Sequence, residues 1–347
     1  MAKKKTETKI KDVSLDDVVA EIEKKFGVGS IMSLESKPEV ALDAISTGSI
    51  GLDYAIGIGG MPRGRIVEVF GGESSGKTTL ALHVIAQAQR KGACAYIDAE
   101  HALDPIYARH IGVDTKKLLI SQPDGGEEAL QILQTLVESK KMSVVVVDSV
   151  AALTPRSEMD GEIGSMQVGA QARLMSQALR ILTAAVAKSN TLVIFINQTR
   201  TNIGGYGDPT TTAGGKALKF YASVRIQVAL ISKIKRGDEV MGGRVRAKVV
   251  KNKVSAPFKS TEYDLMYNEG ISREGEIMAL GEKFGVIKKS GMTYSFGDIK
   301  LGVGYEKSRS FLRENEGVSK EIITSIMSLR DFAEVGEAEV TDESGDE

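Results

Sequence analysis

The chain has 347 residues, which allows one large domain or two to three smaller ones at ~100–200 residues each. Hydrophobic residues at 42 % and charged residues at 26 % are a globular balance, and a lone cysteine, Cys94, excludes an internal disulfide scaffold and fits a reducing compartment. The formal net charge of -1 argues by itself against a nucleic-acid binder, yet residues 331–347 hold eight acids and no base, which leaves residues 1–330 at +7.

Along the chain, residues 1–12 are charged and no apolar signal region follows them. No apolar run approaches the ~18 residues of a membrane span, so a cytoplasmic protein without membrane contact is expected. Ser14 and Asp17 form a capping-box pattern. Val18, Ile22 and Phe26 behind it predict an amphipathic helix. It is either packed on the body or an arm that docks on another subunit.

Strand-like runs then alternate with helical patterns. The strands read as 66–70, 94–97, 118–120, 144–147, 192–196, 224–230 and 245–250, with helices at 127–137 and 171–187 among them. The middle strands are continuous apolar runs, as in parallel strands buried on both faces. The expected fold is α/β, a mainly parallel twisted sheet flanked by helices. A small α+β domain is expected at 270–330 and a solvated acidic tail at 331–347. The remaining boundaries are 1–35 for the N-terminal helix and 36–269 for the core.

The strongest motif is Gly71-Gly72-Glu73-Ser74-Ser75-Gly76-Lys77-Thr78, a full match to G-x-x-x-x-G-K-[ST] between a strand and a helix beginning near Thr79. Its glycines let successive N–H groups face phosphates, and the following helix presents its positive end to the anion. Lys77 reaches the β- and γ-phosphates and Thr78 ligates Mg²⁺. The core is therefore expected to bind ATP and Mg²⁺. Strand 144–147 ends in Asp148, the expected partner of Mg²⁺ through water. Strand 94–97 ends in Asp98-Ala99-Glu100, where Glu100 is the stronger candidate to deprotonate a water and Asp98 the weaker. Strand 192–196 ends in Asn197-Gln198, an amide placed to sense the γ-phosphate. A surface carboxylate at a strand end is the plain alternative for each acid. His83, His101 and His110 lack zinc-type spacing and read as surface or packing residues.

Residues 199–215 form a long Gly/Thr-rich loop whose hydroxyls and N–H groups suit phosphate-backbone contacts. Arg200, Thr201, Asn202, Ile203, Gly204, Gly214 and Gly215 are candidate DNA contacts there, and Tyr206 is placed to pack on an exposed base. In helix 171–187, Met175, Leu179, Leu182 and Val186 form the core stripe, so Arg173 and Arg180 share the exposed face. Residues 233–259 hold nine bases and two acids. Lys251 and Lys253, two apart on a strand, point to one face; they bind nucleic-acid phosphates, reach a neighbour's nucleotide or merely solvate an edge. A ring-forming DNA motor or an ATP-switched regulatory scaffold is compatible with the same core.

These stretches, with Ile97–Pro105, Ala217–Ser223 and Val249–Lys253, resemble the bacterial RecA recombinase family from about Ser14 to Leu329. The resemblance implies a helical filament of copies on single-stranded DNA with ATP between subunits. It also implies pairing and strand exchange with duplex DNA, and stimulation of self-cleavage of a LexA-type repressor in the SOS response. By position, Glu100 matches the general base, Gln198 the phosphate sensor, and Asp104 and Tyr107 the adenine-holding segment. Thr79 closes the phosphate loop. Lys251 and Lys253 match lysines that reach the next subunit's ATP, and Phe220 lies in the subunit-linking segment. Residues 160–169 match the first DNA loop, with Gly161, Gly164, Ser165, Met166 and Gly169; residues 199–215 match the second. The chain departs from the family pattern at Gly72, Ser165, Gln167, Thr210 and Ala213. The acidic tail is expected to compete with DNA for the basic body.

Overall fold

In the computed structural model, which describes residues 14–31, 43–162, 167, 169–201 and 210–329, the chain divides into two units at Asp43/Ala44, past the boundary expected at 35. The acidic tail lies outside the described residues. In the first unit, helix α1 (Leu15–Phe26) starts at the expected capping box. The Ser14 hydroxyl accepts the Asp17 N–H at 3.1 Å, and Asp17 accepts the Ser14 N–H at 3.3 Å. None of its residues is buried.

The second unit opens with a two-strand bridge, β1 (Ala44–Ile45) and β2 (Met61–Pro62), around α2 (Ile50–Ile56). The alternation read from the sequence follows: β3 (Ile66–Gly71), α3 (Lys77–Ala88), β4 (Ala93–Asp98), α4 (Pro105–Ile111), β5 (Leu118–Ser121), α5 (Gly126–Glu138) and β6 (Met142–Asp148). The stretch after Thr154 holds a helical turn, α6 (Arg156–Met159), whose first N–H is taken by Glu127 at 2.9 Å. Then come α7 (Ala170–Ser189), β7 (Leu192–Thr201), β8 (Thr210–Thr212), α8 (Ala217–Tyr221), β9 (Val224–Arg236), β10 (Glu239–Asn252), β11 (Ser260–Met266) and β12 (Gly270–Ile271).

Ten strands form one sheet in the order β12-β11-β10-β9-β3-β7-β6-β4-β5, with β8 on β7. From β9 to β5 all neighbours are parallel; β10, β11 and β12 add an antiparallel edge. Strand β6 shows why its run is apolar throughout. Val144 and Val146 join the core with Leu80 and Val84 of α3 on one face. Val145 and Val147 join Leu133 of α5 and Leu179 of α7 on the other. In α7 the stripe Met175, Leu179, Leu182 and Val186 is buried, and Arg173 and Arg180 are exposed, as the spacing predicts.

The basic stretch 233–259 is mostly the β9–β10 hairpin, longer than the separate strands expected. Part of its charge is matched across strands: Arg244 meets Asp264 at 2.9 Å and Arg246 meets Glu262 at 2.8 Å. His83 is a core histidine; its Nε2 accepts the Ile271 N–H at 2.8 Å, and burial pushes its pKa down to about 4.

The C-terminal part comprises α9 (Arg273–Lys283), a three-stranded sheet of β13 (Lys288–Ser290), β14 (Thr293–Phe296) and β15 (Ile299–Val303), α10 (Tyr305–Glu314) and α11 (Glu316–Ser328). It has its own core of Ile277, Leu301, Leu312 and Ile322, against which Ile50 and Tyr54 of α2 pack. Glu276 of α9 is buried and fastens the junction. Its carboxyl accepts the Ser49 hydroxyl at 2.6 Å and the Ile50 and Gly51 N–H groups at 3.0 and 3.2 Å, so it caps α2 from outside. No described helix is long and apolar enough to cross a membrane.

Candidate active site

Register brings the functional strand ends to one edge of the sheet. Gly71 of β3 lies opposite Gln198 of β7, and Asp98 of β4 opposite Asp148 of β6. The phosphate loop leaves β3 at that edge. A Cβ on Gly71 would fall 2.0 Å from the Val228 carbonyl, so only glycine lets the chain turn there. Gly76, at φ +92°, caps α3, whose N-terminal N–H groups close the loop. The Gly72 carbonyl accepts Ser75 Oγ at 2.9 Å and Lys77 Nζ at 2.6 Å. Burial pushes the Lys77 pKa down, against the opposing pull of Asp148, Glu100 and Glu73.

Thr78 Oγ1 donates to Asp148 Oδ2 at 2.7 Å, and Tyr96 OH donates to the same oxygen at 2.6 Å. Burial pushes the Asp148 carboxyl up while these two donors hold it down. The pair fits a Mg²⁺ that takes the Thr78 hydroxyl directly and Asp148 through water. Among the described residues no cluster of three His, Cys, Asp or Glu could hold a metal by itself.

Glu100 is exposed, and its Oε1 accepts both Gln198 Nε2, at 2.9 Å, and the Ser149 hydroxyl in a short contact. Both bonds fall on one oxygen, and among the described residues Oε2 takes no such bond. The sequence suggested Glu100 and Gln198 separately; the fold joins them. Asp98 is engaged otherwise. It is buried and accepts the Ala102 and Leu103 N–H groups, each at 3.2 Å, and Gln122 Nε2 at 3.0 Å. It shapes the turn leading to Asp104.

A cleft of ≈ 270 Å³ runs beside the loop, lined by residues 74–79, Tyr107, Leu265 and Tyr267. Thr79 Oγ1 and Tyr107 OH are 2.9 Å apart. Asp104 caps α4 through the Ile106 N–H at 2.7 Å and is not among the cleft's lining residues. Sequence reasoning missed Leu265 and Tyr267, because β11 carries no phosphate motif and reaches the cleft only through the antiparallel edge. It also missed Tyr96, which reads as an ordinary strand residue, and Ser149.

Lys251 and Lys253 are not brought to this loop. The Lys253 N–H bonds Ser223 O, and the Ser223 N–H bonds Ile66 O, so Lys253 is level with the first residue of β3. The phosphate loop follows its last. Strand β10 ends at Asn252, so Lys253 lies just past the strand on which the two lysines were expected to share a face, yet near enough for its charge to lower the Lys251 pKa, second to burial. Lys251 Nζ donates to the Lys219 and Phe220 carbonyls at 2.6 and 2.9 Å, capping α8. Phe220 itself is 70 % exposed.

In the loops, Gly164, Ser165, Met166, Asn202, Ile203, Gly204 and Tyr206 lie outside the described residues, as do the side chains of Arg200 and Thr201. Gly161 is half-buried and Gly169 caps α7 at φ +75°. The second loop, expected to be irregular, begins and ends as a ribbon: Thr199 pairs with Thr212, Arg200 with Thr211 and Thr201 with Thr210. Its β-branched threonines favour extended pairing. Gly214, expected as a DNA contact, is buried, and a Cβ there would fall 2.7 Å from Val150 Cγ1. A Cβ on Gly215 would fall 2.8 Å from Ala172 Cβ. Both glycines root the loop on its support.

The family model described as the RecA N-terminal domain matches residues 13–272, and that of the RecA C-terminal domain matches residues 275–330. The chain is 57 % identical over 319 residues to Protein RecA of Rhizobium leguminosarum bv. viciae, covering 91 % of each. It is 54 % identical over 335 residues to Protein RecA of Bifidobacterium longum, covering 96 % of this chain and 84 % of that one. It is 57 % identical to Protein RecA of Wolinella succinogenes over 317 residues, covering 90 % and 91 %. A crystal structure of the RadB recombinase matches 65 % of this chain and 98 % of its own with a TM-score of 0.51 at 23 % identity, a likeness of fold. With a phosphate loop, a paired carboxylate and amide beside it, and both domain matches end to end, the chain belongs to the RecA family.

Proposed function

We propose that the chain couples ATP hydrolysis at the β3–α3 loop to strand pairing at the two loops beyond β6 and β7. As a RecA-family protein it is a DNA-dependent ATPase that acts in recombination. Residues 71–79 hold the triphosphate, Lys77 supplies charge, and Tyr107 lines the base side of the cleft. Bound Mg²⁺ at Thr78 and Asp148 would neutralise phosphate charge. Glu100 Oε2 takes the proton of the attacking water while Gln198 and Ser149 hold the other oxygen in place. Arg173, Arg180, Arg200 and the two loops hold single-stranded DNA along its backbone and admit duplex DNA for exchange. Lys251, Lys253 and Phe220 face a neighbouring copy, so sites complete one another in a filament. That filament is the form that would promote cleavage of a LexA-type repressor.

One observation carries the reading. Gln198 bonds the candidate base at 2.9 Å, and its strand runs on without a break into the second loop. A change at the γ-phosphate is therefore one residue from the DNA-facing ribbon. The test is ATP-dependent pairing of a single strand with a homologous duplex. The expected result is pairing by the wild type. Glu100→Gln should bind ATP but turn it over at least ~10²-fold more slowly, leaving long-lived paired complexes. Pairing without nucleotide, or loss of ATP binding in Glu100→Gln, would refute it.

A further inference from the structure

One side chain marked by no motif connects both loops to the reacting carboxylate. Gln171 is the second residue of α7, two positions after Gly169. Its Nε2 donates to the Val150 and Leu153 carbonyls at 2.8 and 3.1 Å, and its Oε1 accepts the Gly214 N–H at 3.2 Å. A flipped amide would set its oxygen against two carbonyls and its NH2 against an N–H, so its partners fix its orientation. Val150 follows Ser149, whose hydroxyl donates to Glu100. Gly214 follows Ala213, whose carbonyl accepts Asn197 Nδ2 at 3.1 Å. Asn197 precedes Gln198, which donates to Glu100 from the other side. The bonds close a ring: Glu100, Ser149–Val150, Gln171, Gly214–Ala213, Asn197–Gln198, Glu100. The tight seats of Gly214 on Val150 and Gly215 on Ala172 leave little slack. A shift at either loop root therefore moves the segment that carries Ser149.

We propose that Gln171 is a positioning residue that carries strand binding at both loops to the Glu100 carboxylate through Val150–Ser149. It rests on the proposed roles of the loops in DNA binding and of Glu100 in hydrolysis. Two variants test it. Gln171→Met keeps the length and removes the polar atoms; Gln171→Glu keeps the shape and turns two donated bonds into repulsions. The readouts are ATP turnover against single-stranded DNA concentration, KM for ATP, and binding of a fluorescent oligonucleotide. Expected is at least an about fivefold fall in the DNA-stimulated over DNA-free turnover ratio, the scale of one lost hydrogen bond. KM and half-saturating DNA should stay within about twofold. A purely structural loosening would lower both turnovers together and leave the ratio unchanged. Combined with Ser149→Ala, the ratio should fall no further than in the more severely affected single variant, because both act on one connection. A multiplicative fall, full stimulation in Gln171→Met, or DNA binding lost in step with turnover would each overturn the proposal. Absence of DNA stimulation in the wild type would instead refute the underlying reading of the loops, and is seen without any variant.

Discussion

Glu276→Gln should change how the C-terminal junction responds to pH. Burial pushes the Glu276 carboxyl from 4.5 up to about 7, although Ser49, Gly51 and Ile50 donate to it. The groups facing it are Asp53 of α2, itself pushed up to about 6 by burial, and the buried Tyr263 of β11. Arg273, three residues before it on α9, acts on Asp53 from the opposite sign. Below pH 4.5 the carboxyl is neutral in folded and unfolded chains, and its full contribution is present. Between 4.5 and about 7 the unfolded chain sheds the proton and the folded chain keeps it, so stability falls as pH rises. At about 1.4 kcal/mol per pH unit, the loss reaches about 3 kcal/mol and is complete above the folded pKa. Glutamine does not titrate. The stability of Glu276→Gln relative to wild type should therefore improve by about 3 kcal/mol between pH 4.5 and 8. The chain has no tryptophan, and a chain of several domains need not unfold in one step. Hydrogen exchange at the α2 amides reads the junction directly. An identical pH dependence of α2 exchange in wild type and variant would refute the reasoning.

Two further outcomes bear on the active site. Lys77→Ala removes the loop's cation and should abolish ATP turnover while leaving thermal stability nearly unchanged, since among the described residues its ammonium bonds only the Gly72 carbonyl; normal turnover would show the site is misassigned. Tyr96→Phe removes one of two donors that orient Asp148. The Mg²⁺ needed for half-maximal turnover should rise at least about tenfold, the scale of one charge-assisted hydrogen bond. An unchanged Mg²⁺ requirement would reduce Tyr96 to a space-filler.

Local signals carried most of the fold and the heart of the site. The phosphate loop is contiguous, so its chemistry was legible as a string. Asp148 and Glu100 were legible because an apolar strand announces where it ends. The partners that couple them were not. Ser149, Tyr96 and Gln171 bond across 49, 52 and 21 positions of chain, and no periodicity reports such distances. The β9–β10 hairpin was read short because Ser232, Lys233 and Lys235 on one strand and Gly242-Gly243 on the other interrupt its apolar runs. Gly214 and Gly215 were read only for the ligand they could touch, because glycine in a DNA-facing loop suggests such contact. Here it records contact with Val150 and Ala172. Lys251 and Lys253 were placed on one strand by a period of two, but β10 ends at Asn252, between them.

The two carbonyls held by Lys251 make it a contested ligand. A phosphate from outside meets one remaining N–H of the ammonium and gains a second only by displacing the Lys219 or the Phe220 carbonyl of α8. Each bond forfeited costs about 1 kcal/mol net, which a charged phosphate oxygen can offset and a neutral group cannot. Exchange of one acceptor for the other would untie the last turn of α8, the turn that presents Phe220. Arrival of an anion at Lys251 would then loosen the exposed Phe220 ring in the same event.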